Sequence, residues 1–447
     1  MKILILLLLP LFVFAQVNLP TVPQPSQISS YSNQNYSNPS NQNILLNSTN
    51  QYFDTDKQKQ QKQHQQIIGE VEQYEKLQAE TLSQINQDIN EINYNNQFDL
   101  PSLANKKGTE YYRNTFDKML KLNIENYSIK NVNFDIENAY LENREDKAEF
   151  DKIVKQSGEF IIAKMKELKY DTNSNSAKNF MLFEFFSETL QLKSNGLKHF
   201  PIKYDFDDFW GKKDWSKMFV TKLLKTQTGQ CHSMPLLYLT LAEEIGAEAY
   251  LSLSPNHSYI KFQDENEKWY NLELTNGMLT VSSFIFNSGF IRAEAMQNKI
   301  YMQNLSKKEL LSQFYVDLAS GYLHKFGYDD FVEKAVNKAL ELYPNNINAN
   351  MVKANYNNER LIYALTQLKI NPKKKEDIER IGNYPEVVEL FKIRNKQYQI
   401  IDDLGFQEMS IEAYENWLSS LKETKNKLDN DNLKKQVKGL IIKKARN

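Results

Sequence analysis

The chain has 447 residues, with 55 Lys and Arg against 56 Asp and Glu, a formal net charge of -1, and 41% hydrophobic residues. That balance supports a large buried core and excludes a global electrostatic attraction for nucleic acid or anionic membranes. At roughly 150 residues per domain the length suggests two or three domains, and a single cysteine excludes any disulfide within the chain, so packing alone must stabilise it.

Lys2 precedes an apolar run from Ile3 to Phe14, and Val13-Phe14-Ala15 has the small-residue pattern that a signal peptidase reads. The run falls short of the about 20 apolar residues that a spanning helix needs. Residues 1–15 are therefore expected to be a signal peptide with cleavage after Ala15, which makes the protein exported, periplasmic or extracellular, with no membrane span. Residues 16–66 are rich in Gln, Asn, Ser and Pro and carry no periodicity, the composition of a disordered leader. Over residues 67–98 the pattern changes. Leu82, Ile85, Ile89 and Ile92 recur at spacings of 3, 4 and 3, the stripe of an amphipathic helix.

Residues 107–200 read as a helical region, with Phe150, Ile153, Ile161, Met165 and Leu168 at helical spacing and an apolar run from Phe180 to Phe186. His199 near its end reads as a structural, hydrogen-bonded histidine.

Residues 201–300 carry the chemistry. Cys231 opens Cys231-His232-Ser233-Met234-Pro235, which continues as an apolar stretch to Leu241, so the thiol is expected at the start of a buried helix. Unpaired backbone N–H groups and the positive end of the helix dipole favour thiolate there. Ile245-Gly246 reads as a glycine stop for that helix. Three alternating segments follow, at Ala249–Ser254, His257–Phe262 and Trp269–Thr275. Apolar residues must share a face, and a tight loop centred on Glu265 would place Phe262 opposite Lys268, Ile260 opposite Tyr270 and His257 opposite Glu273. Cys231, His257 and Glu273 then supply a nucleophile, a base and an orienting carboxylate, in that chain order.

Each of these residues has a blander reading. A cysteine opening an apolar helix is also a small buried hydrophobe, and His257 could be a core strand histidine, although Asn256 and Ser258 beside it argue for a polar setting. His232 is expected to point away around the helix as a supporting or surface group. Gln227 and Gln230 are both available to assist an oxyanion hole. No second cysteine or spaced histidine cluster accompanies Cys231, so neither a metal site nor a cofactor is expected.

The order Cys, strand His, and acid within a Trp269-x-x-x-Glu273-x-Thr275 strand resembles the transglutaminase-like superfamily, and the Pro255-Asn256-His257-Ser258-Tyr259-Ile260 context resembles its bacterial branch joined to tetratricopeptide helices. The resemblance covers about residues 206–286. It implies an α+β fold, with a helix packed on a small antiparallel sheet and flanking helical regions. It also implies a catalytic triad of Cys231, His257 and Glu273, and acyl transfer at an amide of a protein or peptide. The family usually has Asp in the third place, so Glu273 is a departure. A catalytically silent scaffold of the same fold, binding protein partners through its helices, is the alternative.

Residues 305–447 return to helix. Phe331, Ala335, Ala339, Leu340 and Leu342 before Pro344, then Ala349 and Ala354, look like one tetratricopeptide unit passing into the next. Trp417 and Leu421 mark a further helix, and the Lys-rich stretch from Lys434 to Lys444 is expected to be a solvated face.

Overall fold

A computed structural model describes residues 98–280, 290–420 and 427–444, with short helical pieces at 76–77 and 80–81. The expected signal peptide, the Gln/Asn/Ser-rich leader and most of the helix expected over 67–98 lie outside the described residues. The described chain is mixed α+β. Four helices lead: α1 Thr109–Met119, α2 Ile129–Tyr140, α3 Lys147–Glu167 and α4 Asn175–Ser187. Short strands β1 Leu190–Gln191, β2 Lys198–His199 and β3 Lys203–Tyr204 follow, then α5 Val220–Thr226 and β4 Thr228–Gly229. Helix α6, Ser233–Ile245, is buried on nearly every side, as its unbroken apolar sequence requires. It ends at Gly246 in the left-handed conformation, φ 64°, the stop that the sequence suggests.

The sheet after α6 is antiparallel in the order β5 Tyr250–Ser254, β6 His257–Gln263, β7 Trp269–Glu273 and β8 Met278–Thr280. Ile260, Phe262, Tyr270 and Leu272 point into the main core, and β6 packs against α4 and α6. Helix on sheet is thus the arrangement around the thiol.

Three carboxylates tie these layers together, each by capping the N-terminus of a helix from another element. Glu243 of α6 accepts from the backbone N–H of Ile129 and Lys130 at the start of α2. Buried Glu137 of α2 accepts from Val220 and Thr221 at the start of α5, at 2.7 and 2.9 Å. Glu265 in the β6–β7 turn accepts from the Ser174 hydroxyl at 2.5 Å and from Ser176 N at 3.1 Å at the start of α4. A negative charge at a helix N-terminus satisfies orphan amides and the dipole together.

Helices α7 Lys307–Phe326, α8 Asp330–Leu342, α9 Ile347–Gln367 and α10 Pro385–Asp403 pack in succession. Buried Asp329 caps α8 and also binds Leu103 N, the Tyr322 hydroxyl and Arg113, so the first and last thirds of the described chain share a core. Helix α11, Ile411–Ser420, precedes α12, Lys427–Lys444. The Lys-rich tail is not simply a solvated face. Its Val437 and Ile441 are buried, Lys434 pairs with Glu188 at 3.0 Å, and Asn430 accepts from Leu279 N on β8.

The register of the β6–β7 hairpin differs from the expected one. Ile260 pairs with Leu272 and Phe262 with Tyr270, whose rings stack at 5.3 Å. The turn is centred on Asn266 instead of Glu265: Gln263 pairs with Trp269 and Asp264 N donates to the Lys268 carbonyl at 2.9 Å, while Asp264 Oδ1 accepts from Asn266 N and Lys268 N and Glu267 adopts φ 64°. Pairing slides by two residues, so each side chain keeps its face but not its partner.

Candidate active site

Cys231 sits on a turn just before α6, whose helical bonding begins with Met234 N to Gln230 O at 3.0 Å. The turn is held from two directions. Strand β4 pairs with β3 in parallel, Tyr204 against Gly229, and the Ser258 hydroxyl of β6 donates to the Cys231 carbonyl. Gly229 has a steric reason. A Cβ there would lie 2.8 Å from Met234 Cγ and against Leu223, so a side chain would push the Cys231 turn out of place.

His257 begins β6 after a two-residue loop, Pro255-Asn256, in which Asn256 takes φ 56°; Pro followed by a left-handed Asn is type II turn chemistry. His257 Nε2 lies 2.7 Å from Glu273 Oε2, with both side chains buried. The observed register makes Glu273 a diagonal neighbour of His257 instead of a directly opposed one. Diagonal pairs are further apart, and the extra methylene of Glu supplies the reach. The other carboxylate oxygen of Glu273 accepts from Thr275 N at 3.0 Å.

With Nε2 engaged, Nδ1 is the imidazole nitrogen that remains for the Cys231 thiol, and it is buried. The half-buried Cys231 thiol is pushed up by burial, but the His257 imidazole, the Tyr414 hydroxyl and the charge on His232 outweigh this and hold it below the ordinary thiol value. His257 is lowered by burial and raised more strongly by Glu273 and the thiolate, reaching about 10. Burial raises Glu273, and the imidazole and Thr275 bring it below the usual carboxylate range. These directions describe a thiolate–imidazolium pair with a carboxylate behind it.

Several residues at the site have no counterpart in the sequence-based expectation. Tyr414 of α11 donates its hydroxyl to Cys231 Sγ at 3.8 Å, and Trp417, on the same face of that helix, meets the His257 ring edge-on. Tyr204 places a second buried hydroxyl near the thiol, its ionisation disfavoured by burial and then by the thiolate. His232 does not point away. Its Nδ1 lies 3.0 Å from the Met218 carbonyl and its Nε2 lies 3.2 Å from Asp317 on α7, and it is raised to about 9, burial being outweighed chiefly by Asp317. Of the two glutamines, Gln227 is exposed. The Gln230 side-chain amide donates to the Asp208 carbonyl, so it anchors the loop between β3 and α5. His199 stacks on Phe185 at 3.6 Å and hydrogen-bonds the Phe185 carbonyl, away from the site.

Two cavities open at Cys231. One, of about 320 Å³, is lined by His257 and Ser258; the other, of about 390 Å³, by Phe209, Trp210 and Tyr414. They share Cys231, His232, Asn256, Gln313, Asp317, Asn348 and Met351 on their walls. Both fall in the about 300–1,000 Å³ range of small-ligand sites. Among the described residues no group of three or more His, Cys, Asp or Glu is placed to hold a metal ion, and no helix is long and apolar enough to cross a membrane.

The chain matches no family profile, no curated protein and no solved structure.

Proposed function

We propose that this protein is a cysteine acyl-transfer enzyme acting on amide bonds of proteins or peptides, with a transglutaminase-like core, and that it works outside the cytoplasm. The observation that carries the reading is the Cys231 thiol beside a His257 imidazole whose Nε2 is fixed by buried Glu273. The Cys231 thiolate attacks the amide carbonyl carbon, and a C–S bond forms. The His257 imidazolium gives the Nδ1 proton to the leaving nitrogen, the C–N bond breaks, and a thioester remains. Water or a primary amine then attacks the thioester, passes a proton to His257 and releases the thiolate. The sequence resemblance at Cys231, His257 and Glu273, and the helix-on-sheet arrangement around them, support this assignment. The apolar run from Ile3 to Phe14 before Ala15 supports the location.

One observation favours a second reading, a silent scaffold whose helices bind protein partners: Tyr414 and Trp417 stand against the thiol and the imidazole. The pH dependence of iodoacetamide alkylation separates the two. An ordinary thiol titrates near about 8.5. A rate that stays fast down to about pH 6 and is lost in His257→Ala is the result expected of the pair. A thiol that is unreactive in the folded protein, or indifferent to His257, would overturn the enzymatic reading.

A further inference from the structure

The two cavities at Cys231 are chemically unequal, and the position of His257 on one of them assigns their roles. In the first step the imidazolium must reach the nitrogen that leaves, because proton transfer needs hydrogen-bond contact. The His257 imidazole is itself buried, and of the two cavities the residue borders the 320 Å³ one and not the 390 Å³ one. The leaving amine, and later the water or amine that replaces it, therefore occupies the 320 Å³ side. The acyl portion of the substrate extends from the thiol in the other direction, into the larger cavity.

That larger cavity is an aromatic box. Phe209, Trp210, Trp215, Met218, Phe219 and Tyr414 contribute to its walls. Phe209 and Trp210 lie on a loop held by the Gln230 amide, and both rings pack against Tyr414, at 5.6 and 5.0 Å. Trp215 and Met218 belong to the turn capped by Asp214. The charges on these walls are already engaged. Glu137 accepts from Val220 N, Thr221 N and Asn133, and Asp317 pairs with His232. Among the described residues no lysine or arginine lines either cavity. A charged acyl side chain would lose its hydration there without gaining a partner, whereas a flat apolar ring gains both area burial and edge or face contacts.

We propose that the 390 Å³ cavity is the acyl-donor subsite and takes a neutral aromatic side chain on the residue whose carbonyl Cys231 attacks, with the leaving amine departing past His257. The assignment rests on the acyl-transfer reading and names the substrate class for that same site.

The test compares two irreversible probes on the full chain, N-acetyl-phenylalanyl and N-acetyl-glycyl chloromethyl ketone. In each the Cys231 sulfur forms a C–S bond to the methylene carbon, chloride leaves, and the thiol proton passes to solvent. A ring filling the cavity should make the phenylalanyl probe react at least about tenfold faster, since a single well-placed methylene is already worth about 10–200-fold. Ser320 lies on the wall of this cavity and not of the other, so Ser320→Trp should bring the ratio close to one. Ser320→Ala should leave the ratio unchanged. If Ser320→Trp does not fold, protection of the unsubstituted protein from iodoacetamide by N-acetyl-phenylalaninamide, and not by N-acetyl-glycinamide, gives the same information. A ratio near one in the parent, or a ratio that survives Ser320→Trp, overturns the subsite assignment. Failure of the enzymatic reading looks different: both probes would then react at the same rate in the parent and in His257→Ala, whatever their ratio.

Discussion

Trp417 meets the imidazole of His257 edge-on, with ring centroids 4.9 Å apart and an interplanar angle of 69°. Tyr414 lies three residues earlier on the same helical face and reaches the thiol, as i and i+3 positions do. Helix α11 therefore touches both the Cys231 and the His257 side chains from a distant part of the chain. The site is assembled from the Cys231 turn, the β6–β7 hairpin and a C-terminal helix, and each can be perturbed separately.

Removing one hydroxyl tests the contribution of α11. In Tyr414→Phe the ring contacts with Phe209 and Trp210 remain, but Sγ loses the donor that favours thiolate. The thiol pKa should rise, so the midpoint of the alkylation rate against pH should move to higher pH while the melting temperature changes little. An unmoved midpoint would mean that the hydroxyl does not act on the thiolate.

Glu273→Asp tests the diagonal geometry. The shorter side chain cannot span a diagonal pair as well, so His257 should lose the 2.7 Å bond that fixes Nε2. We expect a cost of about 1–3 kcal/mol in urea unfolding from the stranded buried groups, and a fall of at least about tenfold in the alkylation rate at pH 7. An Asp variant as fast as the parent would indicate that the hairpin can reach the directly opposed register.

Much of this arrangement was legible in the sequence. The glycine stop, the alternation of the strands and the shared face of His257 and Glu273 all follow from period alone. The register was not legible, because it depends on how the turn is built. Asp264 binding two amides and Glu267 at positive φ centre the turn on Asn266 instead of Glu265, and nothing about the apolar pattern changes when pairing slides by two. The direction of His232 was missed for a related reason: residues 231 and 232 form a turn, so helical angles do not apply to them. Tyr204, Asp317, Tyr414 and Trp417 come from distant segments where an aromatic or acidic residue has many ordinary explanations, and only the fold brings them to the thiol.

Gly229→Ala should separate packing from chemistry. The added methyl meets Met234 and Leu223, and overpacking of this kind costs about 1–3 kcal/mol. Because Gly229 lies two residues before Cys231, the variant should also lower the His257-dependent alkylation rate. Loss of stability with unchanged reactivity would show that the Cys231 turn is held by the Ser258 bond and not by the β3–β4 pairing.

Glu265 links the hairpin to α4 and makes a pH-dependent contribution whose sign can be worked out. Burial raises its carboxyl, but the Ser174 and Ser176 hydroxyls and the Ser176 amide bring it down from 4.5 to about 2. A carboxylate held below its unfolded value stabilises the fold fully above the unfolded pKa, and that contribution is lost as pH falls through the folded value. The window is therefore from about 4.5 down to about 2. Glu265→Gln keeps the shape but removes the charge at the α4 N-terminus, and should cost about 0.5–2 kcal/mol at pH 7, the range of a lost helix cap. The difference between parent and variant in urea unfolding should shrink steadily as the pH is taken down through that window. A difference that stays constant with pH would mean that the hydroxyl contacts, not the ionised carboxylate, hold the hairpin to α4.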